Sequence, residues 1–74
     1  MRRRLRVKEV AQNQGFSMGK LSRNADVAYR TVQLICNDPY RDVELGTLEK
    51  LAKVLGVMPF DLVEYFDDEE DTTP

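Results

Sequence analysis

Residues 17–37 read SMGKLSRNADVAYRTVQLICN, and they carry the most informative local pattern in the chain. Ser17 is of a type that caps helix N-termini, and Leu21 and Ala25 lie four residues apart, which places them on one face of a helix. After a break of three residues, the pattern predicts another helix, Tyr29–Asn37, whose apolar residues again recur at helical spacing. The stretch therefore predicts two short helices joined by a tight turn.

The residues on both sides of this stretch also predict helices, because their apolar residues recur with the helical period. Upstream, Val7 and Ala11 belong to such a stripe, and Gly15 follows it. Downstream, Leu45–Leu55 has the clearest helical pattern in the chain, and it is followed by Gly56. Glycine suits the left-handed conformation that often follows a helix end, so both glycines are predicted to end helices.

A fifth, short helix is predicted after Gly56. Pro59 is favourable in the first turn of a helix, and Asp61 would interact there with the positive end of the helix dipole. Phe60 and Phe66 are predicted to lie in the core, with an interface role as the alternative. The predicted fold is therefore all-α, a compact bundle of five helices.

The net charge of −2 hides a strongly polarised chain. Residues 1–41 hold nine Lys and Arg against three Asp and Glu, whereas residues 42–74 hold two against ten, so the halves carry +6 and −8. Such opposed halves indicate nucleic-acid binding combined with an acidic tail. We expect a flexible basic arm over residues 1–5, a folded domain over 6–66 and a disordered acidic tail over 67–74.

The composition argues against several classes of function. The chain has no His and a single Cys, so disulfide frameworks, zinc sites and Ser–His or Cys–His nucleophiles are not expected. The glycines are scattered, which excludes a glycine-rich phosphate loop. No apolar run approaches the length of a membrane span. We therefore predict no enzyme activity, cofactor, metal or membrane association, and a reducing, cytoplasmic location.

Two short helices joined by a tight turn have the layout of a helix-turn-helix. Residues 17–37 resemble this motif in the lambda-repressor/Cro-type (XRE) family, which reads roughly S-x-x-x-L-A-x-x-A-G-V-S-x-x-T-I-x-x-I-E-N. The matching positions are Leu21, Ala25, Val27, Thr31, Val32, Ile35 and Asn37. The stretch from 45 to 57 is also similar to the family's fourth helix. The resemblance covers residues 6–66 and implies a prokaryotic or phage sequence-specific DNA-binding regulator, with a repressor as the expected kind.

Five positions depart from the family pattern. Asp26 stands where Gly is usual, and it tolerates left-handed geometry less readily. Ala28 replaces the Ser that caps the recognition helix, at a typical cost of ~1 kcal/mol. Met18, Ser22 and Cys36 replace a frequent Gln, Ala and Glu respectively. We expect the fold to survive all five, and we do not transfer the phosphate contact of the missing Gln to Met18.

The resemblance implies that the third helix enters the major groove of DNA with its N-terminal residues leading. Its outward residues, predicted to contact bases, are Tyr29, Arg30, Gln33 and Leu34. Arg30 could pair with guanine, Gln33 with adenine and Leu34 with a thymine methyl group, and each bidentate pair would discriminate by ~1–3 kcal/mol. The residues predicted to contact the DNA backbone are Thr31, Asn37, Lys20, Arg23, Arg41, Arg2, Arg3, Arg4 and Arg6.

The predicted partners are double-stranded DNA and a second copy of the chain. One short recognition helix reads few bases alone, so a homodimer on a two-fold site is expected. The fifth helix, with Val63, Tyr65 and Phe66, is the candidate dimer surface. The alternative function is an antitoxin-like or adaptor module whose acidic tail folds onto a protein partner. A simple solvated surface stays open both for the outward helix face and for the arginine arm.

Overall fold

The computed structural model describes residues 2–66 as four α-helices and a two-stranded sheet. In chain order the elements are β1 Arg2–Leu5, α1 Val7–Asn13, α2 Met18–Ala25, α3 Tyr29–Asn37, α4 Leu45–Leu55, a 3₁₀ helix Pro59–Leu62 and β2 Val63–Phe66. The four helices predicted before Gly56 are confirmed. Among residues 2–66, no helix has the length and hydrophobicity of a membrane-spanning segment.

The core is a single cluster to which every helix contributes. Its buried members are Leu5, Val7, Ala11, Leu21, Ala25, Val32, Ile35, Cys36, Leu48, Leu51, Ala52, Leu55 and Leu62. Within residues 2–66 no polar or charged side chain is buried. The apolar stripes predicted from helical spacing are therefore the surfaces that the helices bury against one another.

The ends of the helices follow the local sequence closely. Ser17 caps α2, since its Oγ accepts a hydrogen bond from the backbone N–H of Lys20 at 3.1 Å. Asp26 ends α2 in the left-handed conformation, with φ of 57°, and is the one non-glycine residue with positive φ among those described. Gly56 ends α4 with φ of 70°. Ala28 precedes α3 without a side-chain cap.

The predicted fifth helix is wrong. Pro59 begins a helix as expected, and the Asp61 carboxylate accepts from the backbone N–H of Met58 at 3.0 Å, but this 3₁₀ helix ends at Leu62. The chain then continues as β2, whose β-branched and aromatic residues favour a strand when a partner strand is present. Leu62 is fully buried, whereas Phe60 is 74% exposed, so the prediction of Phe60 as core is also wrong.

The flexible arm predicted for residues 1–5 is corrected in the same way. Residues Arg2–Leu5 form β1, which pairs antiparallel with β2 so that Arg2 lies opposite Phe66 and Leu5 opposite Val63. The backbone N–H of Arg6 extends the pairing by donating to the carbonyl of Leu62 at 2.7 Å. The fold is therefore mostly helical rather than all-α. The acidic tail predicted for 67–74 lies outside the described residues.

Candidate nucleic-acid interface

One face of α3 is buried and the opposite face is open to solvent. The buried residues are Val32, Ile35 and Cys36, as the sequence predicted. On the open side, Tyr29 is 48% exposed, Leu34 is at 36% and Arg30 is exposed, while Gln33 is half-buried. All four predicted base-contacting residues thus lie on the outer surface of one helix. A helix of this kind fits into the major groove of DNA.

A recess joins the last turn of α3 to the first turn of α2. Asn37 lines it together with Ser17 and Met18, in a cavity of about 240 Å³. Lys8 of α1 lines the same recess, although the sequence analysis did not select it. The available signal was that Lys8 belongs to the basic N-terminal segment. Only the packing of α1 against α3 brings Lys8 to the recess that Asn37 also lines.

A second, slightly smaller depression lies on the other side of α3. Thr31 and Leu34 line it with Arg41 and Thr47, in a volume of about 210 Å³. Thr31 and Arg41, both predicted backbone contacts, are therefore neighbours, and they lie next to the exposed Leu34. This depression connects α3 with the segment that leads to α4, so the candidate surface extends beyond the two helices of the motif.

The basic residues divide into two groups by their surroundings. The cations of the helix-turn-helix and the following segment form no ion pair with any residue in 2–66. This group comprises Lys20, Arg23, Arg30 and Arg41. Lys20 also packs its ammonium group 5.2 Å from the centre of the Phe16 ring. These side chains are available to meet phosphates.

The arginines of the predicted arm, and Arg6 directly after it, have intramolecular partners instead. Arg4 pairs with Glu64 at 2.7 Å and with Glu9 at 3.3 Å, and Arg6 pairs with Glu9 at 3.4 Å. The hydrogen bond and the charge of Glu64 raise the pKa of the Arg4 guanidinium above its ordinary value. Arg3 pairs with Asp42. The structure therefore separates these arginines from the free cations of the helix-turn-helix.

Arg2, the remaining arginine of this N-terminal group, lies between two aromatic rings. Its guanidinium carbon is 5.4 Å from the ring centre of Tyr40 and 5.5 Å from that of Phe66. Cation–π attraction of this kind holds an exposed guanidinium with modest strength. Arg2 thus connects β2 with the segment after α3.

Cys36 lies in the buried face of α3 and has a free thiol. Burial raises the pKa of this thiol, against a smaller lowering by the charge of Lys8. The thiol is therefore held in its protonated, weakly nucleophilic form. Its place in the core agrees with the role of a small apolar residue.

The sequence of this chain matches a family of DNA-binding domains, and its fold is similar to those of solved structures. The family model described as a Cro/C1-type HTH (helix-turn-helix) DNA-binding domain matches residues 3–68. A chain of the SinR–SinI protein complex superposes with a TM-score of 0.72 at 26% sequence identity, covering 93% of this chain and 64% of that one. This chain therefore spans slightly less than two thirds of the length of that relative.

A second solved structure shares the fold. A candidate DNA-binding protein from Bacteroides fragilis superposes with a TM-score of 0.72 at 22% identity, covering 84% of this chain and 98% of the other. No protein of curated function matches the sequence. The resemblance noted from residues 17–37 is confirmed over nearly the whole described chain.

Proposed function

Because this chain belongs to the Cro/C1-type HTH DNA-binding family, we propose that it is a sequence-specific transcriptional regulator that reads the major groove with α3. The observation that carries this proposal is the open face of α3, bordered by cations that have no partner in the described fold. Repression is the simplest mode of action, since a domain bound at a promoter sterically excludes other proteins from the same DNA.

We assign base contacts to the outer face of α3. The guanidinium of Arg30 has the planar pair of donors that matches guanine, and the amide of Gln33 has the donor and acceptor that match adenine. Leu34 supplies apolar surface for a thymine methyl group, and Tyr29, in the first turn, reaches a base or a phosphate. Because Gln33 is half-buried and Arg30 is exposed, the Gln33 side chain has less conformational freedom to lose when it binds a base.

The remaining polar residues of this surface are assigned to the DNA backbone. Lys20 and Arg23 on α2 and Arg41 after α3 supply charge, and each phosphate neutralised releases counterions. Thr31 and Asn37 supply hydrogen bonds from opposite edges of α3, since each lines a different recess. Such contacts fix the register of a protein on DNA without reading its sequence.

Selection from a random double-stranded DNA library tests the proposal, with the full chain as bait. We expect an enriched motif, and we expect Arg30→Ala to bind that motif ~10-fold or more weakly and to lose its preference at one position. Lys53→Ala is the matched control, because it removes one exposed cation from the last turn of α4. If no motif is enriched, or if Lys53→Ala weakens binding as much as Arg30→Ala, the proposed function is wrong.

We further propose that two copies bind together on a two-fold site. An apolar groove of about 180 Å³ lies between β2 and the first turn of α4, and Leu45, Phe60 and Tyr65 line it. All three residues are more than half exposed. Large apolar residues that are exposed together in one patch often mark a surface that binds another protein. Residues 67–74 contain no apolar side chain that could cover them. A second copy of the chain, brought to the adjacent half-site, would bury this groove.

The dimer is tested by sedimentation in the presence and absence of the selected DNA. Phe60→Lys is expected to abolish two-to-one binding and leave the melting temperature unchanged, because Phe60 contributes little to the core. The selected motif is expected to be palindromic, with half-sites about one helical turn apart. A monomeric complex on a single, non-repeated site would refute the dimer and leave the DNA-binding proposal intact.

A protein partner is the second candidate function, because the SinR–SinI structure is itself a complex of two different proteins. In this case the acidic residues 67–71 would recognise the partner, and DNA reading would be secondary. The two functions are separated by the cellular phenotype of two variants. A phenotype that survives Arg30→Ala with Gln33→Ala, and is lost on deletion of residues 67–74, would support the partner function.

A further inference from the structure

The segment between α3 and α4, residues 38–44, is held by β1 at three points. The backbone N–H of Leu5 donates to the carbonyl of Pro39 at 2.7 Å. The guanidinium of Arg2 lies over the ring of Tyr40. Arg3 forms an ion pair with Asp42. We call residues 38–44 the interhelical loop.

Arg41 lies between the two side chains that β1 holds. Its backbone N–H donates to the carbonyl of Asp38 at 3.2 Å, and the N–H of Asp38 in turn donates to the carbonyl of Leu34 at 2.9 Å. The Asp38 carboxylate accepts from the N–H of Tyr40 at 3.3 Å, which closes the turn. The interhelical loop is therefore a hydrogen-bonded continuation of α3, and its position determines where Arg41 stands relative to the recognition surface.

The remaining contacts of β1 fix the strand to the rest of the fold. Arg4 pairs with Glu64 on the neighbouring strand and with Glu9 on α1, and Leu5 is buried in the core. A strand held in this way can transmit position to the interhelical loop, because its backbone is paired along one edge and bonded to Pro39 on the other. A mobile arm could not do so.

We propose that Arg3, with Asp42, is a positioning residue for DNA binding and does not itself contact DNA. The ion pair places Arg41 beside Thr31 and Leu34, where it meets a phosphate next to the bases that α3 reads. The positive charge of Arg3 is already matched by the carboxylate of Asp42, so Arg3 adds little net attraction for DNA. This inference rests on the proposed DNA-binding function, and it replaces the direct contact first expected of Arg3.

The exposure of the pair sets the size of the effect. The side chains of Arg3 and Asp42 are 44% and 87% exposed, so the pair contributes little to the stability of the fold. Its loss is expected to weaken DNA binding about two- to fivefold, the range of an exposed ion pair's coupling. If Arg41 is the contact that is lost, the slope of log affinity against log salt should also fall by about 0.9.

The test compares three variants of the full chain on a fluorescent duplex of fixed random sequence, titrated with salt. Arg3→Ala with Asp42→Ala removes the pair without changing the net charge, and Arg41→Ala removes the contact that the pair is proposed to position. The double variant and Arg41→Ala are each expected to lower the salt slope by about 0.9. The triple variant, which combines all three substitutions, is expected to have the same slope as Arg41→Ala. If instead the triple variant loses about 0.9 more than Arg41→Ala, Arg3 binds phosphate directly and the positioning role is overturned.

A charge swap gives the rescue. Arg3→Asp with Asp42→Arg rebuilds the ion pair in the opposite sense, so wild-type affinity and salt slope are expected. A swapped variant that binds as weakly as the alanine pair would also overturn the proposal. Melting curves of all variants are expected to agree closely, because the pair is exposed.

Hydrogen exchange at the Arg41 amide separates this inference from the proposed function. Removing the pair is expected to speed exchange at this amide and leave α2 and α4 unchanged, whether or not DNA is bound. Wild-type protein that binds no DNA would refute the proposed function and the DNA-binding role of the pair together. Wild-type protein that binds DNA, with an Arg41 amide insensitive to loss of the pair, would refute the positioning role alone.

Discussion

The two helices of the helix-turn-helix start from similar extended backbone conformations but have different capping residues. Ser17 has φ of −79° and ψ of 163°, and its hydroxyl oxygen accepts from the N–H of Lys20. Ala28 has φ of −54° and ψ of 137°, and its carbonyl already accepts the first helical bond, from Val32 at 3.1 Å. Only the side-chain oxygen is missing at the start of α3. Ala28→Ser should supply it.

The size of the effect follows from the cap at Ser17. A serine at position 28 would accept from the N–H of Arg30 or Thr31, one of the unpaired donors of the first turn. Such a cap is typically worth ~1 kcal/mol in the free energy of unfolding. For a domain of this size, ~1 kcal/mol raises the melting temperature by roughly 4–8 °C. Ser17→Ala removes the equivalent bond from α2 and should lower stability by a similar amount.

Urea unfolding followed by circular dichroism measures both changes in the absence of DNA. The denaturant slope is expected to stay constant, since neither substitution alters the surface exposed on unfolding. The double variant Ser17→Ala with Ala28→Ser should return close to wild type, because the two caps share no partner. Repeating the curves at two protein concentrations removes any contribution from dimerisation. If Ser17→Ala is destabilising while Ala28→Ser changes nothing, residue 28 does not cap α3 and the assigned start of the recognition helix is wrong.

Two further predictions concern the C-terminal elements and the buried thiol. Leu62→Ala is expected to lower the free energy of unfolding by ~2–5 kcal/mol, and Phe60→Ala by less than about 0.5 kcal/mol, because only Leu62 is buried. Similar losses for the two variants in urea unfolding would contradict the assignment of Leu62 to the core and Phe60 to the surface. The raised pKa of Cys36 means that the unfolded chain releases the thiol proton before the folded chain does, so this group's contribution to stability is lost as pH rises past the usual thiol value of 9.0. When the pH is raised from neutral to above 9.0, the free energy of unfolding should therefore fall more for wild type than for Cys36→Ala. Equal losses in urea unfolding would show that the thiol is not shielded from water.

Local sequence was sufficient to predict the two helices that are proposed to bind DNA. The helical spacing of Val32, Ile35 and Cys36 predicted the buried side of α3, and the same period placed Tyr29 and Arg30 on the open side. These inferences succeed because an amphipathic helix has one buried stripe, whose position is set by residues three and four apart. The helix ends at Ser17 and Gly56 were predictable for the same reason, since a cap acts within one turn.

The positions of the two chain ends could not be predicted in this way. Val63, Tyr65 and Phe66 suit a short helix or a strand, and only pairing with Arg2–Leu5, about sixty positions earlier, selects the strand. The same pairing brings the arm arginines to acidic residues that are distant in sequence, as in the pair of Arg4 with Glu64.

Short-range patterns were thus enough to predict the helix-turn-helix, its buried stripe and its outward residues, because each depends on contacts within a few positions. Which cations lack an ion pair among residues 2–66 depends instead on contacts between distant segments. Counting charges placed Arg3 and Arg41 in one basic segment, but folding pairs Arg3 with Asp42 and leaves Arg41 without an ionic partner among residues 2–66. The physical reason is that attraction between charges depends on their separation in space, and the sheet sets that separation.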